Sequence, residues 1–224
     1  QERLESLEER DNLDVDDEAE DEEIVDLQTN NEAGQPRVSD LPNVELSERS
    51  VKPLMKSMNT KQQEVFYTVR RWCIDKSSGK NPEPFHLFIT GGAGVGKSHL
   101  IKCIHHEASR LLKGTADPGK VKVLLTAPTG VAAFNINGST LHHAFMLPLT
   151  MRELKSLTDK SLQTLRTNLE DVDIVIIDEI SMVDGMTMLY IHDRLQQIKN
   201  KRGNDDWYGG VSIIAVGDFY QLPP

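Results

Sequence analysis

The sequence predicts an α/β fold in which a parallel sheet is covered by helices on both faces. Three observations predict it. From Phe85 onward, short β-rich runs alternate with helical stretches, the pattern of a layered sheet. Runs such as Ile174-Val175-Ile176-Ile177 are apolar at consecutive positions, as strands buried from both sides must be. A glycine-rich loop, Gly91 to Gly96, also joins one such run directly to a helical stretch.

In order, Phe85-His86-Leu87-Phe88-Ile89 reads as the first strand, and the glycine loop leads into a helix from Lys97 to Leu112. Val121 to Thr126 is the second strand, Asp173 to Asp178 the third and Val211 to Val216 the fourth. Helical segments are expected at Arg152 to Leu169 and Met186 to Lys199. No internal repeat is visible.

The length of 224 residues fits one domain plus an extension, and charge locates the extension. Residues 1–50 carry 18 Asp or Glu against four Arg, a net −14, whereas residues 51–224 carry 17 acids against 21 bases, a net +4. The first segment, rich in like charge and poor in aromatics, cannot bury enough surface to offset its ordering entropy and is expected to be a disordered acidic tail. The polar stretch from Gln28 to Pro53 reads as a linker or as the start of the fold. The expected division is therefore a tail and linker over 1–50 and a domain over 51–224. The domain's mild basicity permits phosphate binding.

Cys73 and Cys103 are too few for a disulfide framework and lack zinc-site spacing, which suggests a reducing intracellular compartment. The adjacent pairs His105-His106 and His142-His143 have no further ligands to complete a set, so no zinc is expected. No apolar run approaches the roughly 18 residues that span a bilayer, and no membrane partner is expected. The chain begins at Gln1 and stops at Pro223-Pro224, and is expected to be cut at both ends.

Gly91-Gly92-Ala93-Gly94-Val95-Gly96-Lys97-Ser98 fits G-x-x-x-x-G-K-[ST] after a strand and at a helix start, the P-loop context. Glycines let backbone N–H groups wrap phosphate oxygens, and the helix N-terminus adds its positive end. Lys97 would reach the β and γ phosphates of ATP, and Ser98 would offer its hydroxyl to Mg²⁺. The apolar run ending in Asp178-Glu179 puts two carboxylates at the edge of the sheet where ligands of open α/β folds bind. Asp178 would hold Mg²⁺ directly or through water, and Glu179 would polarise the attacking water as general base. A strand-end pair that merely caps the next helix is the plainer alternative.

Four further segments carry a family resemblance: Ala127-Pro128-Thr129-Gly130-Val131-Ala132-Ala133, Gly138-Ser139-Thr140-Leu141-His142-His143-Ala144-Phe145, Asp178-Glu179-Ile180-Ser181-Met182-Val183 and Gly217-Asp218-Phe219-Tyr220-Gln221-Leu222-Pro223-Pro224. In this order they resemble motifs Ia, Ib, II and III of the Pif (petite integration frequency) family of superfamily-one DNA helicases. The likeness runs from about Met58 to Pro224, and its wording is similar to the helicase regions of Helitron-type transposons.

The resemblance implies a RecA-like P-loop domain, the first of two motor domains in an ATP-dependent 5′ to 3′ DNA helicase. It implies Mg-ATP as the energy source, single-stranded DNA as the track, and action in the nucleus or the mitochondrion. Repair, recombination, telomere maintenance and transposition are the processes such enzymes serve. Motifs IV to VI and a second motor domain are absent from the sequence.

By the same resemblance, Gln221 would sense the γ-phosphate, and Thr129, Thr140 and His142 would touch the tracking strand. Met58-Asn59-Thr60-Lys61-Gln62 is similar to the family's L-[SN]-x-x-Q segment, which implies that Gln62 reads the adenine edge; a plain helix start is the competing reading. Met186-Thr187-Met188-Leu189-Tyr190 departs from the family's Leu-Phe-Asp-Lys-Leu pattern, and its methionines are expected in the core. A non-catalytic protein decayed from such a helicase is the rival function, disfavoured by the intact Lys97, Ser98, Asp178, Glu179 and Gln221.

Overall fold

A computed structural model describes residues 48–115, 120–148, 157–201, 203 and 206–218. Helices α1 (Glu48–Lys56) and α2 (Thr60–Ser77) precede the sheet. Strand β1 (His86–Thr90) is followed by helix α3 (Lys97–Leu112), then β2 (Val123–Ala127), α4 (Gly130–Ile136) and β3 (Ser139–Thr140). Next come α5 (Leu141–Phe145), α6 (Asp159–Leu169), β4 (Ile174–Ile177), α7 (Gly185–Lys199) and β5 (Ser212–Gly217). The five strands form one sheet in the order β1-β5-β4-β2-β3, and every pairing is parallel.

The expected two-sided burial is realised residue by residue along β4. Ile174 and Ile176 pack with Leu100, Ile104 and Phe66 on one face, whereas Val175 and Ile177 pack with Leu165, Ile191 and Leu195 on the other. Neighbouring strands share this parity, with Leu125 and Ile214 on the first face and Leu124 and Ile213 on the second. Helices α2, α3 and α4 therefore cover one side of the sheet, and α5, α6 and α7 the other.

Several elements differ from the expectation. Among the described residues the first element lies within the stretch read as linker or start: α1 opens at Glu48 and carries Pro53 inside it. The buried Val51 anchors this helix, and His99 Nε2 on α3 donates to the Leu54 carbonyl at 2.7 Å. In the region expected to be helical from Arg152, helix α6 starts at Asp159, and Thr158 caps it by accepting from the Ser161 N–H at 3.2 Å. Residues 152–156 lie outside the described residues.

The short elements between β2 and α5 are held by local chemistry. Gly138 precedes β3 where an added β-carbon would lie 2.6 Å from the Leu125 carbonyl oxygen, so only glycine permits this approach. Ser139 and Thr140 then pair with Thr126 and Ala127 at the end of β2.

Candidate nucleotide-binding site

The site forms where the strands end. Thr90 pairs with Gly217, so the loop at Gly91 and the carboxylate of Asp218 leave the sheet at the same level. Because β5 lies between β1 and β4, Asp218 is delivered between the glycine loop and Asp178. Asp218 is buried, and a β-carbon on Gly92 would stand 4.0 Å from its Oδ2. Sequence reasoning did not single out Asp218. The signal was present, since Val211 to Asp218 is a second apolar strand ending in an acid.

The loop itself is exposed from Gly92 to Val95. Gly94 and Gly96 have φ of +78° and +86°, left-handed geometry that aims successive N–H groups into one concavity. Lys97 opens α3 and donates from Nζ to the carbonyls of Gly91 at 2.7 Å and Gly92 at 3.0 Å. Its ammonium thus sits over the loop that phosphate would occupy. Ser98 is exposed in the first turn of the same helix.

Gln62 reaches this loop from α2. Its Oε1 accepts from the Asn59 N–H at 2.9 Å while Asn59 Oδ1 accepts from the Gln62 N–H at 3.0 Å, a reciprocal cap. Its Nε2 donates to the carbonyls of Val95 at 3.1 Å and Gly96 at 3.3 Å. Gln63 instead turns to the Met58 carbonyl. Gln62 therefore completes the capping box of Asn59 and braces the P-loop.

Asp178 follows β4 and is 5% exposed. Burial pushes its carboxyl above the usual carboxylate range, against the opposing effects of the Glu179 N–H and the Lys97 charge. That N–H donates to Asp178 Oδ1 at 3.0 Å. A buried carboxylate whose charge is disfavoured by its surroundings suits a divalent cation, which would restore the charged form. Asp178 and Ser98 are the residues that fit Mg²⁺.

Glu179 is half-buried and adopts φ +52°, ψ +42°. A left-handed glutamate costs about 1–2 kcal/mol, and strain of this kind concentrates at functional sites. It stands at the start of the 3-10 turn Ile180–Met182, and its side chain does not cap that turn.

The other expected contacts form a second group at the β2–β3 end of the same edge. Thr129 caps α4 by accepting from the Ala132 N–H, and Thr140 caps α5 by accepting from the His143 N–H, each at 3.2 Å. The hydroxyl hydrogens remain as donors after these caps are made. His142 is half-buried. Asp184 caps α7, and hydrogen bonds from Thr187, with a smaller contribution from His142, hold its carboxyl below the usual range. Gln221 lies outside the described residues. The methionine expectation is corrected: Met186 is 46% exposed, whereas Met188 packs against the core.

Comparison with known proteins matches residues 57–224 to the family model described as PIF1-like helicase. The chain is 39% identical over 142 residues to the ATP-dependent DNA helicase RRM3 of Saccharomyces cerevisiae, covering 62% of this chain and 18% of that protein. The solved Pif1 helicase of Candida albicans aligns with TM-score 0.54 and 32% identity over 75% of this chain and 34% of its own. A Bacteroides Pif1 structure in complex with ADP-AlF3 and single-stranded DNA aligns with TM-score 0.50 and 28% identity over 74% of this chain and 33% of its own. The chain thus spans under a fifth of that curated relative and about a third of these solved ones. The parallel α/β fold expected from sequence is the one these helicases share.

Proposed function

The chain belongs to the PIF1-like helicase family, and from that premise we propose that residues 51–224 are the first motor domain of an ATP-dependent 5′ to 3′ DNA helicase. The observation that carries this reading is the convergence of the P-loop, Asp178 and Asp218 at one sheet edge within the matched span. The RecA-like domain binds Mg-ATP and moves on single-stranded DNA, and residues 1–50 are a tail and linker that leads into the motor at α1. Repair, recombination, telomere maintenance or transposition is the setting, in the nucleus or mitochondrion.

In this reading the loop N–H groups and Lys97 hold the β and γ phosphates. Lys97 exchanges the carbonyls of Gly91 and Gly92 for phosphate oxygens, an exchange that costs little because the ammonium is already in place. Asp178 and Ser98 hold Mg²⁺, which neutralises phosphate charge when bound. Glu179 accepts the proton of the attacking water, and Gln221 senses the γ-phosphate. Gln62 sits beside the loop to read adenine. Thr129, Thr140 and His142 meet the DNA backbone without regard to sequence.

Hydrolysis and strand separation, followed together on a duplex with a 5′ single-stranded tail, test the proposal. The 224-residue polypeptide should bind Mg-ATP but turn it over marginally, since an arginine finger from a second motor domain is worth about 10³ to 10⁵ in rate. It should not unwind, because two domains must close around the strand. Joining it to a second PIF1-like motor domain should restore both activities, and Glu179→Gln should abolish turnover while Mg-ATP still binds. Robust unwinding by the 224 residues alone would refute the single-domain reading, and unchanged turnover in Glu179→Gln would move the base elsewhere.

A further inference from the structure

Helix α4 displays an apolar ridge that its own fold does not use. Phe134 is 80% exposed and Val131 75% exposed, whereas Ala133 and Ile136 on the opposite side of the helix are buried in the core. Val131 and Phe134 are three residues apart and lie on one ridge. Neither Val131 nor Phe134 belongs to the clusters that hold α4 on the sheet, so the phenyl ring is left largely to solvent.

A second observation concerns charge. Asp and Glu make up 35 of the 224 residues, yet none occurs between Asp117 and Glu153. No carboxylate of this segment opposes a polyanion, and the segment carries α4, β3 and α5. The Thr129 and Thr140 hydroxyls retain donor hydrogens after capping, and they stand at the ends of the paired strands β2 and β3. Donors suited to phosphate, a chain segment free of acids and one exposed aromatic ring are the chemistry of a single-strand binding surface.

We propose that Phe134, backed by Val131, is a stacking platform for the bases of single-stranded DNA whose phosphates face Thr129 and Thr140. This rests on the helicase reading above and adds a residue that the reading does not use. Every base has a π-face, so the platform grips without selecting sequence. It also holds bases, whereas the threonines hold only backbone.

Fluorescence anisotropy at low salt, with the 224-residue chain, separates the two kinds of contact. The probes are labelled oligothymidylate and a deoxyribose-phosphate strand of equal length without bases. The wild type should favour oligothymidylate by about 5- to 150-fold, the worth of one stacked base. Phe134→Ala should erase that preference and leave affinity for the abasic strand unchanged, and Phe134→Trp should retain the preference. If Phe134→Ala binds oligothymidylate as the wild type does, the platform is refuted. If it weakens both strands equally, the effect is structural and the platform is again refuted. Binding of neither strand by the wild type would instead refute the DNA reading on which the platform rests.

Discussion

Replacing Gly96 with alanine tests whether the P-loop depends on a backbone conformation that glycine alone adopts freely. Gly96 has φ +86°, where a β-carbon costs about 1–2 kcal/mol. The same carbon would lie 2.7 Å from Gln62 Nε2. The amide would then swing away from the Val95 and Gly96 carbonyls, losing about 0.5–1.5 kcal/mol of hydrogen bonding. Alanine also restricts the unfolded chain, which returns about 0.4–1 kcal/mol. The balance is a destabilisation of about 2 kcal/mol, or about 4–8 °C in melting temperature for a domain of this size. Far-ultraviolet circular dichroism during heating would measure it. Added to Gln62→Ala, the same substitution should cost less, because the clash with the amide is gone and only the backbone penalty remains. A Gly96→Ala midpoint within about 1 °C of wild type would refute the reasoning.

Three further outcomes are expected. Lys97→Ala should weaken ATP binding by about 10- to 150-fold, the loss of one charge-assisted contact of about 1.5–3 kcal/mol, with little change in melting temperature; equal affinity by calorimetry would remove Lys97 from the phosphate site. Burial raises the Asp178 pKa above its unfolded value, so its contribution to stability is favourable below the unfolded pKa and is lost as pH rises through the folded one. Asp178→Asn should therefore raise the melting temperature of the metal-free chain at neutral pH, with a gain that shrinks toward acid, and a constant difference across the titration would contradict this. Burial pushes the thiols of Cys73 and Cys103 to about 12 and about 11, so a thiol reagent at mildly alkaline pH should label neither until denaturant is added; rapid labelling of the native chain would show that the α2–α3 core opens.

The strands were legible because burial on both faces leaves a continuous apolar run, and β1, β2, β4 and β5 fall within about two residues of their expected ends. Helix α3 was legible at both ends, since the glycine loop fixes its start at Lys97. Helices α4 and α5 were not, because seven and five residues carry too little periodicity to declare themselves. What makes them helical is a threonine cap and a place against the sheet. The exposure of Met186 was equally hidden, since it depends on which residues of the first turn of α7 meet the core. The P-loop and the acid pair could be read from residue spacing alone. The grip of Gln62 on Val95 could not, because it joins residues 33 apart in the chain and is set by the packing of α2 on α3.

Glu179 carries a consequence for how such a sequence drifts. Its left-handed backbone would be relieved by glycine or asparagine, residues that visit this conformation at low cost. A random substitution at position 179 to either would thus tend to stabilise the chain, whereas most substitutions in a folded domain destabilise. If the carboxylate is the proposed base, hydrolysis and not stability is what opposes its replacement. An engineer who optimised this domain for heat resistance alone would be led toward position 179, and would obtain a sturdier protein that had lost its proposed base.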